Sequence, residues 1–179
     1  MKKSIIVYSF LLCLFMVSTT LAQDIAVVNL EQIIKNSVAF KRLNESLEKE
    51  KNEYQGKIKQ KEIELNAKRD DLQSKASMFS QETLQQKSLE FQKDILSFQE
   101  EVKNKEEELQ KKLTYGLNTL NEEINKIIND MSKEKDFIKY KTIINSAVLL
   151  KYDSNDDITM EVLKRLNKKN ISLVDKKNK

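Results

Sequence analysis

The chain of 179 residues is 34% charged, with 32 Lys and Arg against 28 Asp and Glu, a formal net charge of +4, two glycines, one cysteine and neither proline nor histidine. So close a balance lacks the concentrated basic face that electrostatic nucleic-acid binding requires. With no histidine and only Cys13, the usual zinc-ligand sets and nucleophile–base pairs are excluded.

Residues 1–22 read as a cleaved signal peptide. Lys2 and Lys3 form its positive start, Ile5–Val17 its apolar run, and Thr20-Leu21-Ala22 a small-residue cleavage site. The run is shorter than the roughly 17 to 25 residues of a spanning helix, which weighs against an uncleaved anchor. Cys13 lies inside the run without the small residues that precede a lipidated cysteine. Cleavage removes the only thiol, so the exported protein would carry no disulfide.

Asp24–Leu30 is a short β-branched run that reads as a buried strand. A helix follows at once: Asn29 is a suitable N-cap, Gln32 completes a capping box, and Val28 can staple onto Ile33. Asn36-Ser37 interrupts this helix, and Ser37 caps a restart at Val38.

Between Phe40 and Lys133 the pattern predicts two long helices. Leu47, Tyr54, Ile58, Leu65 and Leu72 make a sparse, heptad-like stripe. The turn is placed at Ser77-Met78-Phe79-Ser80, with Ser80 capping the return helix and Phe79 stapling onto Leu84. The return stripe runs Leu84, Phe91, Ile95, Phe98, Val102, Leu109, Leu113, Leu117, Leu120, Ile124, Ile127 and Met131, with a stutter at Leu109, Leu113 and Leu117. Antiparallel closure about this turn sets Leu72 opposite the region of Gln86, Ile58 opposite Glu100 and Leu47 opposite Lys111. The arm should reach roughly 55 to 80 Å at 1.5 Å per residue.

After Asp136 the period changes. Phe137–Ile144 and Ala147–Leu150 read as two strands joined through Asn145-Ser146 as a hairpin. Thr159 is the expected N-cap of a last helix whose inward face is Val162, Leu163 and Leu166. The fold class is therefore mostly α with a small β body: a long antiparallel helical-hairpin arm projecting from a β-strand oligomerisation cap. The expected divisions are a signal at 1–22, a β-rich body at 23–36 and 136–168, a helical arm at 37–135 with its tip near 77–80, and a loose basic tail at 169–179.

So small a body supplies a core worth only about 3 to 5 kcal/mol, with no disulfide or metal to reinforce it, so self-association is expected. Candidate body residues for that contact are Ile25, Val27, Val28, Ile143, Val148, Leu150, Val162 and Leu166. Tyr54, Phe79, Phe91 and Phe98 either fill the seam between the arm helices or offer apolar contact to another chain. Gly56 and Gly116 sit inside the helices, where either permits close packing, and Gly56 is also a candidate flex point. Glu106-Glu107-Glu108 and Asp70-Asp71 belong to solvated helix faces, and Asn155-Asp156-Asp157 to a turn rather than a calcium loop. No catalytic residue, cofactor or metal is expected, and the chain reads as a non-enzyme.

Two segments carry a resemblance. Ile25-Ala-Val-Val-Asn-Leu-Glu-Gln-Ile-Ile34 resembles the opening strand and helix of the OmpH-like (Skp) family of periplasmic chaperones. Ser146–Tyr152, with Asp157–Lys164 and Leu166-Asn167, looks like that family's final strand and helix. The resemblance implies a homotrimer of helical tentacles around a cavity, which holds unfolded outer-membrane proteins in the periplasm without ATP. A structural adaptor bridging envelope components is the alternative. The distal arm, residues 66–94, balances Lys68, Arg69, Lys75, Lys87 and Lys93 against Asp70, Asp71, Glu82, Glu90 and Asp94. That balance argues against a positive tip for lipopolysaccharide and leaves only weak anionic-lipid contact.

Overall fold

A computed structural model describes residues 24–173; residues 1–23, which include the expected signal, and residues 174–179 lie outside the described residues. Six elements follow in order: β1 (Ile25–Val28), α1 (Leu30–Asn36), α2 (Val38–Ser74), α3 (Gln81–Met131), β2 (Thr142–Asn145) and α4 (Thr159–Lys168).

The capping signals place the helices. Asn29 Oδ1 accepts from Gln32 N at 2.9 Å, Ser37 Oγ from Phe40 N at 3.2 Å, and Ser80 Oγ from Thr83 N at 3.2 Å. Ser37 also donates to Ile34 O at 2.9 Å, so one buried serine ends α1 and begins α2. Between α2 and α3 the chain turns through a short 3-10 turn at Ala76–Met78.

The two strands pair in parallel, from Ile25 against Thr142 to Val28 against Asn145. Parallel neighbours need a crossover connection, and the whole arm is that connection. This corrects the expected hairpin. Phe137–Lys141 turns instead of extending, because Phe137 N and Ile138 N both donate to Glu134 O while the Phe137 ring lies beneath Arg165, 5.6 Å from its guanidinium. Beyond β2, Asn145 Oδ1 accepts from Ala147 N at 3.3 Å and winds Ser146–Val148 into a 3-10 turn. β2 takes β1 as its partner in place of a following strand.

The chain ends meet as expected. Ile158 N donates to Val27 O at 2.9 Å, and Val38 N to Asn167 Oδ1 at 2.8 Å. Thr159 is the first residue of α4 rather than its cap. Its hydroxyl accepts from Asn29 N at 2.8 Å, and Asp157 Oδ1 accepts from Thr159 N at 2.8 Å. The hydroxyl expected to cap α4 thus ties it to the start of α1.

One core joins body and arm root: Ala26, Val28, Ile33, Leu43, Leu120, Ile124, Ile127, Met131, Ile158, Val162, Leu163, Leu166 and Leu173. Leu173 corrects the expectation of a loose end from residue 169. Residues 169–173 run along the arm root, where Leu173 is buried and Lys169 Nζ meets Glu123 Oε2 at 3.2 Å. Gly116 makes the space, since a Cβ there would collide with Leu43 Cδ2 and crowd Leu173 O at 3.3 Å. Among the described residues no helix is long and apolar enough to cross a membrane.

Candidate functional site

The arm helices α2 and α3 close antiparallel on each other. Lys68 pairs with Asp94, Glu50 with Lys105 and Lys112, and Leu43 abuts Gly116. Each pair falls within about one turn of the register drawn from the sequence. About a third of the way out along α2, Glu50, Lys105, Glu108 and Lys112 form a four-member cluster with contacts of 2.6 to 2.9 Å. Hydrogen bonds from Lys105 and then Lys112 hold the Glu50 carboxyl below the ordinary carboxylate range. Those from Lys112 and then Lys105 do the same for Glu108.

Of the four sequence-predicted contact rings, none is fully exposed. Tyr54, Phe79, Phe91 and Phe98 are all half-buried. Tyr54 lines a cleft of about 500 Å³ between the helices, together with Leu47, Ile58, Val102, Leu109 and Leu113. Its hydroxyl is buried without a hydrogen-bond partner. Burial first, and then the Glu101 carboxylate, push that phenol up. Phe91 shares a second cleft with Leu65 and Ile95, and Phe79 lies at the turn with Lys87 Nζ 5.4 Å from its ring. Gly56 has no atom within 4 Å of where a Cβ would stand, and α2 runs through it unbroken.

The apolar groups that face solvent on the arm are others: Val38 and Tyr115 near the root, and Ile63, Met78, Leu89 and Leu96 further out. Sequence reasoning passed over the outer ones because large rings draw attention. The available signal was that Ile63, Leu89 and Leu96 fit neither seam stripe.

The body candidates divide. Val27, Val28, Val162 and Leu166 are buried in the chain's own core, and Ile143 is half-buried. Ile25, Val148 and Leu150 are exposed, as is Tyr152. Among the described residues no three His, Cys, Asp or Glu side chains are grouped to hold a metal ion.

The arrangement offers a long, charged arm with apolar clefts and isolated exposed leucines, mounted on a body with exposed apolar groups of its own. A family model described as "Outer membrane protein (OmpH-like)" matches residues 24–166. An "Uncharacterized protein" of Aquifex aeolicus (strain VF5) is 29% identical over 159 residues, covering 89% of this chain and 95% of that protein. The crystal structure of a candidate outer membrane chaperone (OmpH-like) from Caulobacter crescentus CB15 superposes with a TM-score of 0.72 at 14% identity, over 81% of this chain and 84% of that one. At that identity the likeness is one of fold.

Proposed function

The chain belongs to the OmpH-like family of outer membrane proteins, and on that premise we propose that it is a periplasmic holdase. It is exported by a cleaved signal at residues 1–22 and works as a homotrimer without ATP. It encloses unfolded outer-membrane proteins between its arms until they insert. The observation that carries this reading is the mounted hairpin arm, which offers half-buried aromatics and exposed leucines on a surface otherwise charged. Each apolar contact to a client is weak because polar neighbours surround it. Many such contacts within one enclosure retain a chain strongly without reading its sequence, and they release it in small steps.

Trimer formation is supported by the body. Val148, Leu150 and Tyr152 expose apolar surface beside β2 in a segment that has no strand partner among the described residues. An uncovered strand edge with apolar neighbours is a pairing site. Tyr54, Phe79, Phe91 and Phe98 serve as secondary client contacts, reached when the seam opens. Gly56 is where α2 flexes. Anionic lipid contributes weak contact.

The test uses the exported form, residues 23–179, in light scattering with an outer-membrane porin diluted from urea. A trimer that keeps the porin soluble at near-stoichiometric ratio is the expected result. A stable lone subunit, or a protein that ignores denatured barrels and binds a single folded envelope partner, would point to the adaptor reading instead.

A further inference from the structure

Along α3 the side facing α2 carries Leu84, Phe91, Ile95, Phe98 and Val102. About a quarter-turn around the helix from that side, a second strip runs with alternating steps of four and three: Gln85, Leu89, Gln92, Leu96 and Gln99. All five are exposed, Leu89 at 52% and Leu96 at 64%. Steps of three and four make helical neighbours, so the strip is continuous over about 20 Å. It carries no charge in a chain that is 34% charged, and Glu90, Lys93 and Glu100 flank it without interrupting it. The outer side of α2 differs. There Ile63 has uncharged neighbours in Gln60, Asn66 and Ala67, but no second exposed large apolar side chain lies within two turns of it, and Lys59 and Asp70 bound it.

We infer that the Gln85–Gln99 strip is the surface on which the arm holds an unfolded, uncharged polypeptide segment, and that this side of α3 faces the enclosed space. The inference rests on the chaperone reading above. The chemistry selects the occupant. The strip exposes on the order of a few hundred Å², below the roughly 800 Å² that each partner of a stable folded interface buries. An unfolded chain presents what the strip lacks: unpaired backbone N–H and C=O groups beside apolar side chains. Each glutamine amide both donates and accepts, and each leucine supplies apolar contact between them.

The test places a photoreactive benzoylphenylalanine at Leu89, at Leu96 or, as control, at Ile63 in the exported protein. The probe is a small β-barrel outer-membrane protein diluted from urea. Crosslinks to the probe should form at positions 89 and 96 well above those at 63. A Leu89→Gln, Leu96→Gln double variant should keep its helicity and oligomeric state, because glutamine is a good helix former. Its retention of the probe should weaken roughly tenfold, the size expected for losing two partial leucine burials. Equal retention by the double variant, or crosslinks at Ile63 alone, overturns the strip while leaving the chaperone reading standing. Failure of the native protein to hold the probe overturns both. Crosslinks from position 89 to a neighbouring arm without probe overturn the assigned occupant.

Discussion

At its root the arm packs Leu43, Leu120, Ile124 and Ile127 away from solvent against the body, whereas between residues 44 and 115 no side chain of either helix is fully buried. The same two helices are thus held by different physics along their length. The root relies on apolar burial and close packing. The outer arm relies on a half-wet seam and on ion pairs that water still reaches. Free energies of local opening should follow this division, high at the root and falling toward Met78. An arm fixed where it joins the body and yielding further out suits an enclosure that must fit chains of different bulk.

Truncations on either side of the division should separate it most widely. Leu120→Ala removes a fully buried side chain from the root and should cost about 2 to 5 kcal/mol. Leu65→Ala, at a half-buried seam position, should cost about 1 kcal/mol. Urea denaturation followed by circular dichroism checks both, and comparable losses would erase the contrast.

One substitution with opposite signs sharpens it further. Gly116→Ala meets Leu43 and Leu173, so it should destabilise by about 1 to 3 kcal/mol and expose the amides of residues 169–173 to hydrogen exchange. Gly56→Ala meets nothing and should stabilise by up to about 1 kcal/mol through helix propensity alone. If Gly56 is the flex point, solution scattering should also show a narrower spread of the arms. An unchanged spread removes that role.

The smallest effect concerns acid. Glu50 and Glu108 have folded-state carboxyls held below the ordinary value of 4.5, so their contribution is complete at neutral pH. It is lost as pH falls below that value and through the lowered one. The outer arm should therefore lose thermal stability as the pH falls below about 4.5, and less so in Glu50→Gln. High salt should blunt the difference by screening these partly exposed pairs. An equal acid response in Glu50→Gln would assign the loss to other carboxylates.

Most of this division could be read from the residues, and the failures share a cause. Asn29, Ser37 and Ser80 act locally, each bonding an amide three residues on, so their caps were legible. The arm register followed from the turn position and the apolar spacing. Within the expected strand Phe137–Ile144 only Thr142–Ile144 extends, while Phe137–Lys141 turns, because the choice lay with distant partners: Arg165 over Phe137, and β1 beside Thr142–Asn145. Thr159 was drawn from local capping to Asn29 by the same kind of long-range contact. Leu173 looked like part of a basic tail because nothing nearby in sequence reveals the notch at Gly116. For the candidate contact residues, size misled: the rings were the best fillers for the seam, and the solvent-facing apolar groups were the leucines that the seam had no room for.

Because β1 and β2 lie side by side in one parallel ladder, the entire arm amounts to a single excursion that leaves and returns at the same doorstep. Its reach is then an independent dimension, set by how many matched turns the two helices share. Adding one heptad to each would move the far end out by about 10 Å at 1.5 Å per residue, with the strand ladder and its surroundings untouched. Homologues serving bulkier cargo could be tuned by this ruler alone, through paired insertions placed symmetrically about Ala76–Met78.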